Sequence, residues 1–228
     1  YNGSTDANGD QSIAIGRAAS VTAANSIAIG YQASISTTNS IMLGNAAISS
    51  IRGHVNFTAT SDGRMKSDVR ENVPGLAFID QLRPVTYQMN MENEYALRGD
   101  TIPEALRQAI EQKKQVRYTG FIAQEVERAA HKTNYDFSGV EVPDDSSQLY
   151  GLRYAEFVVP LVKAIQELNE KVDTQEKTII SQAQQLAAYQ QQVAQMEAYQ
   201  DQLSQYRQIM TELPARLNQL EKESPPSY

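Results

Sequence analysis

Three short apolar runs recur near the start of the chain: Ser12-Ile13-Ala14-Ile15-Gly16, Ser26-Ile27-Ala28-Ile29-Gly30 and Ser40-Ile41-Met42-Leu43-Gly44, each 14 residues after the one before. A constant offset of this kind is a repeat signature, and an ordinary series of hairpins does not keep it. Within each run, large side chains alternate with a small or unbranched one. This predicts one short strand per unit, with the large residues on one face and a Gly where the backbone turns. Asn25 and Asn39 mark the entries to the second and third units. One unit buries too little surface to stand alone, so the coils are expected to stack as a β-solenoid and to pack against other chains.

The pattern loosens through Ile48–Gly53, and His54–Thr60 then alternates as a strand would. Beyond residue 70 the periodicity changes. Leu76, Phe78, Ile79 and Leu82 follow Pro74-Gly75 and predict a short helix. Pro84 restarts the chain as a strand over Val85–Met89. Residues 92–115 are strongly polar and predict a protruding insertion with a short helix over Ala105–Ile110. Tyr118–Ala123 reads as a strand running into a helix that begins near Gln124, and Leu152–Pro160 introduces the last helix.

From Ile165 to Met210 one seam alternates steps of three and four without interruption, with Ile165, Val172, Ile179, Leu186 and Val193 at the a positions. That is a coiled-coil pattern. Gln175 and Gln182 occupy d positions, where polar layers lower stability but fix register and strand number, and they suit a trimer better than a tight dimer. Pro214 is expected to break this helix, leaving Leu217 and Leu220 on a short piece before a disordered Ser224–Tyr228 tail.

Composition narrows the function classes. With 41% hydrophobic residues, no Trp and a net charge of −7, the chain of 228 residues does not suggest one large core. Its acidity supplies no bulk attraction to nucleic acid or to an anionic membrane. No apolar run approaches the roughly 20 residues needed to span a bilayer, and the start lacks the charged and apolar regions of a signal peptide. There is no cysteine, hence no disulfide and no thiolate metal site. His54 and His131 have no partners at metal-ligand spacing and read as surface or structural residues. The basic run Lys113–Arg117 reads as a solvated face. Gln124-Glu125 lacks the second carboxylate that glycosidase chemistry requires, and reads as capping and packing, with a supporting role near Lys66 as the alternative. No cofactor, metal, nucleic acid or membrane insertion is expected.

The change of pattern falls at Thr60-Ser61-Asp62-Gly63-Arg64-Met65-Lys66. A serine hydroxyl is a weak nucleophile until a base takes its proton, and a lysine in its neutral form can be that base. Ser61 Oγ can reach the carbonyl carbon of Thr60 through a five-membered ring, turning the amide into an ester that water then cleaves. The amides of the Asp62-Gly63 turn are candidate donors to the oxyanion. Arg64 is placed to act on Lys66, or to pair with Asp62 or Asp68. Locally, an exposed Ser-Asp-Gly turn between strand and helix explains the same residues.

Two resemblances add to this. Residues 10 to about 50 resemble the left-handed β-roll head repeats of trimeric autotransporter adhesins, which implies a homotrimer with a shared core. Ser61-Asp62-x-Arg64-x-Lys66-x-Asp68-Val69, Leu82-Arg83-Pro84-Val85-Thr86-Tyr87, Gly120–Val126 and the coiled coil resemble, in order, the C-terminal intramolecular chaperone domain of phage tailspikes and tail fibres, of endosialidase type. Met65 and Val69 stand where leucine and isoleucine are usual. The resemblance implies that the domain assembles a trimeric fibre and then cuts itself off between Thr60 and Ser61. Ser61 and Lys66 would form the catalytic pair, with Asp62, Gly63 and Arg64 as candidate support.

The expected architecture is an α+β, elongated homotrimer. Residues 1–60 form a β-roll or solenoid fibre tip, 61–160 a small mixed α/β chaperone body, 161–213 a long trimeric coiled coil and 214–228 a terminal piece. The expected partners are two further copies, upstream fibre domains of the same chain and, for the mature virion fibre, a host-surface receptor. The chaperone would be released in the host cytoplasm. The competing expectation is a trimeric surface adhesin that does not cleave and keeps its coiled coil as a permanent stalk.

Overall fold

The computed structural model describes residues 5–97, 99–144 and 148–223. The chain is α+β and ends in a long helix. Its contacts divide it into two units, Tyr1–Ala164 and Ile165–Tyr228.

The repeats form two parallel three-stranded sheets. Strands β1 (Asp6–Ala7), β3 (Ser20–Val21) and β5 (Ser34–Ile35) make one; β2 (Ile13–Ile15), β4 (Ile27–Ile29) and β6 (Ile41–Leu43) make the other. Ile13 pairs with Ile27 and Ile27 with Ile41, so the register equals the sequence period. Each unit therefore carries two strands where the alternation suggests one. The second signal is weaker but legible, because Ala19-Ser20-Val21 recurs as Ala33-Ser34-Ile35.

The small residues of β2 and β4 face inward. Ala28, Val21, Ala33 and Ile35 form a buried cluster that Ala14 and Met42 join, while Ile13, Ile15, Ile41 and Leu43 stay exposed on the other face. Corners are tight. Asn25 and Asn39 adopt φ of 49° and 57°, a conformation Asn tolerates better than most residues, and Asn25 Nδ2 donates to Asn39 Oδ1 at 2.8 Å across adjacent coils. Gly16 has φ 122° and lies so close to the next coil that a Cβ there would stand 2.5 Å from the Gly30 carbonyl oxygen.

The second body is built on an aromatic core. Helix α1 (Leu76–Ile79) contributes Phe78, and strand β7 (Val85–Tyr87) follows it. Helices α2 (Met91–Leu97) and α3 (Glu104–Lys114) lead into strand β8 (Tyr118–Gly120), which pairs antiparallel with β7. Helix α4 (Ala123–Lys132) turns Val126, Ala129 and Ala130 onto Phe78, Phe137 and Phe157. This is the i, i+3, i+4 stripe of an amphipathic helix. Phe78 and Phe137 lie 5.0 Å apart between ring centroids, and Phe137 and Phe157 4.9 Å. Strands β9 (Val140–Glu141) and β10 (Gly151–Leu152) form a short antiparallel pair.

The insertion differs from expectation. It holds two helices, and they do not simply protrude: Met91, Leu106 and Ile110 are buried, with Tyr31, Ala46 and Ala47 of the repeats packed against them. Leu106 and Ile110, four apart, share one face of α3. A mostly polar segment thus hides a narrow apolar stripe.

Helix α5 runs over Val158–Glu223. Phe157, Pro160 and Ala164 are buried at its start, where the missing amide of a proline costs no helical hydrogen bond. From Ile165 onward the seam residues are exposed, Ile179 by 63%. Contrary to expectation Pro214 does not end this helix, which continues through it to Glu223. A proline there removes one backbone bond, while the helix keeps its bonds on either side through Glu212, Leu213, Ala215 and Arg216. The Ser224–Tyr228 tail lies outside the described residues. Among those described, no helix is long and apolar enough to cross a membrane.

Candidate functional site

Between the repeats and α1 the chain has almost no regular structure. Residues 54–60, expected as a strand, form none. A ladder needs a partner edge, and no sheet among the described residues includes this segment. It stands in solvent with Val55 86% and Phe57 93% exposed.

Ser61 follows, and then a single 3₁₀ turn over Gly63–Met65. Asp62 makes that turn. Its backbone is extended, and its carboxylate accepts from the Arg64 amide at 2.8 Å, the N-cap arrangement that satisfies a free helix-end donor. Arg64 then folds its guanidinium back onto the same carboxylate, at 2.6 Å from Nη2 and 3.1 Å from Nε. Arg64 holds the Asp62 carboxyl below the ordinary carboxylate range, its side-chain bonds acting more strongly than its amide. Of the pairings open to Arg64, the structure has the one with Asp62; Asp68 pairs with Arg70 at 2.6 Å.

The turn reverses the chain, and Lys66 leaves it in an extended conformation. Lys66 Nζ thereby meets Ser61 Oγ at 2.8 Å. The candidate nucleophile and the candidate base are thus in hydrogen-bond contact across five residues, held by a turn whose cap and brace lie between them. The Arg64 amide is already engaged by Asp62, so the amides of Asp62 and Gly63 remain the candidates for an oxyanion. Ser61 and Lys66 are both exposed, as are Met65 and Val69 beside them. With Val55 and Phe57 these large apolar side chains bracket the pair on both sides.

The other candidates lie elsewhere. Glu125, in the first turn of α4, is bonded by Arg83 at 2.6 Å and 3.0 Å. Arg83 holds its carboxyl below the usual range, a structural use of the pair. His54 is exposed, and His131 Nε2 lies 3.8 Å from Glu127. Among the described residues no three His, Cys, Asp or Glu side chains gather as a metal site. Lys113, in the run read as a solvated face, instead bonds to the repeats, at 2.7 Å to the Ala46 carbonyl. No local pattern foretells a partner so far away in sequence.

Comparison with known families assigns the two segments separately. Residues 61–134 match the family model of the chaperone of endosialidase. The match begins at Ser61, the hydroxyl partner of Lys66, and covers the turn, the β7–β8 pair, the insertion and α4. Upstream of it, residues 7–33 match two copies of the YadA head domain repeat. No curated protein and no solved structure matches the chain. The two matched segments thus lie on either side of the exposed stretch that ends at Thr60.

Proposed function

We propose that this chain is the C-terminal region of a phage tail fibre or tailspike, in which the chaperone segment drives trimer assembly and then removes itself by cutting Thr60–Ser61. The observation that carries the reading is the 2.8 Å contact of Lys66 Nζ with Ser61 Oγ, at the first residue of the chaperone match. The mature fibre, ending at Thr60, then serves attachment to the host cell.

In the proposed reaction Lys66 acts in its neutral form, which a dry surrounding favours. Its Nζ takes the Ser61 hydroxyl proton as Oγ bonds to the Thr60 carbonyl carbon. The carbon–nitrogen bond breaks, the Ser61 nitrogen receives the proton, and an ester links Thr60 to Ser61. Water hydrolyses that ester. One water is consumed, leaving a carboxylate on Thr60 and a free amine on Ser61. The Asp62-capped turn holds Oγ and Nζ in register, so that proximity supplies much of the rate.

Assembly and cutting are coupled through exposure. In a single chain the pair stands in water, while the seam of α5, the outer face of β2, β4 and β6 and the apolar residues around the junction all lack cover. Three chains joined by a coiled coil raise one another's local concentration, which helps repeats that must find register between separate molecules. Closing the trimer buries Phe57 and Met65 and dries the pair. Cutting then removes the assembly aid and leaves a fibre whose persistence is kinetic.

The YadA head match favours one competing reading, a trimeric surface adhesin whose coiled coil is permanent and whose Ser61 is structural. Mass spectrometry of the freshly expressed chain separates them. Fragments ending at Thr60 and beginning at Ser61, absent in Ser61→Ala and Lys66→Ala, support cleavage; an intact chain in a trimeric sample supports the adhesin.

A further inference from the structure

The repeats are held in two ways. One is covalent, through the exposed segment from Ile48 to Ser61. The other is the insertion, whose buried Met91, Leu106 and Ile110 receive Tyr31, Ala46 and Ala47 of the repeats. At the end of α3, Lys113 Nζ donates to the carbonyls of Ala46 at 2.7 Å and Ile48 at 2.9 Å. These carbonyls lie just past β6, the last strand of its sheet, so the ammonium closes the open end of the coil stack. Hydrogen bonds from a charged donor are the stronger kind.

We propose that this dock keeps fibre and chaperone together after the chain is cut, so that release is a second, separate step. The inference rests on the proposed cleavage at Thr60–Ser61 and concerns the fate of the two fragments afterwards. Hydrolysis there touches none of the docking residues, and the exposed stretch between Ile48 and Ser61 lets the new ends move without pulling on Ala46. The partner the surface fits is the last β-coil of the same precursor: two backbone carbonyls for Lys113 and an edge of Tyr and Ala for the stripe of α3. The fit is also incomplete. A cleft of about 490 Å³ lies beside the dock, between Gln32 and Met42 on the coil side and Tyr95 and Pro103 on the insertion. Gln32 Oε1 is buried without a hydrogen-bond partner among the described residues. The contact therefore covers only part of the facing surfaces, less than a close-packed interior would.

The test is size-exclusion chromatography of the full chain after cutting, without denaturant. The parent fragments, residues up to 60 and from 61 onward, are expected to co-elute. Leu106→Asp, which sets an unpaired carboxylate against the coil, separates them, and Tyr31→Ala weakens retention from the other side of the contact. Lys113→Met speeds dissociation roughly tenfold, in keeping with the loss of a charged hydrogen bond. Each variant must keep the helical circular dichroism of the parent and be cut at its rate. Parent fragments that part as soon as they form, or Leu106→Asp fragments that stay together, overturn the proposal. Should the parent not cut itself, the cleavage reading fails alone. The dock is then tested by the same co-elution in a chain opened at a protease site inserted between Ser49 and Ser50.

Discussion

Replacing Gly16 by Ala perturbs one corner of the repeats and nothing downstream of Ser61. At φ 122° an L residue is strained, and the added Cβ would lie 2.5 Å from the Gly30 carbonyl oxygen and 2.7 Å from its carbon. The obstacle is backbone, so no side chain can yield. Backbone strain of about 1–3 kcal/mol and overpacking of similar size sum to a destabilisation of at least about 2 kcal/mol. At about 1.4 kcal/mol per factor of ten, the coil opens roughly 30 times more often. Amide hydrogen exchange reads this directly at Gly30, whose N–H bonds to the Ile15 carbonyl at 2.7 Å. Gly63→Ala is the matched control. No atom lies within 4 Å of a Cβ there, and the substitution is expected to leave coil exchange unchanged. Parent-like exchange at Gly30 in Gly16→Ala would refute the stacked coil geometry at that corner.

The aromatic core, the Asp62 turn and the long helix yield further expectations. Phe78→Ala, at a fully buried ring between Tyr135 and Phe137, should cost about 3–5 kcal/mol and abolish the near-ultraviolet dichroism of the aromatic core. Because Arg64 lowers the Asp62 carboxyl, the turn's stabilisation is complete above the ordinary value of about 3.9 and is lost as pH falls through the lower folded value. The Asp62 carboxyl carbon should accordingly titrate by NMR below a free aspartate, and a midpoint at or above the free value would contradict the pairing. Ile179→Lys places a charge at the middle of the seam; the chain should sediment as a monomer and stay uncut over a period in which the parent is cut fully.

Much of this fold was readable from residue order, and the exceptions have physical causes. The 14-residue offset became the strand register, and the five-residue spacing of Ser61 and Lys66 became a contact because the residues between them favour a turn: Asp62 caps and Gly63 bends. The second strand of each coil was harder to see, since Ser20-Val21 and Ser34-Ile35 are too short to show a period of two. Pro214 misled because the loss of one amide bond does not by itself end a helix that is bonded on both sides of it. His54–Thr60 alternates like a strand, but alternation describes a face and a strand also needs an edge to pair with. The dock of α3 on the coils was least legible. Its apolar stripe is only Leu106 and Ile110 within a charged helix, and Lys113 finds its acceptors more than 60 residues away.

In the proposed reaction Ser61 and Lys66 cut the chain at Thr60–Ser61 once trimers have formed. Intact-mass measurement of the newly made chain over time is the decisive test. Conversion to two fragments meeting at Thr60 and Ser61 is expected, abolished by Ser61→Ala and by Lys66→Ala. A parent chain that is trimeric and remains at full mass would contradict it.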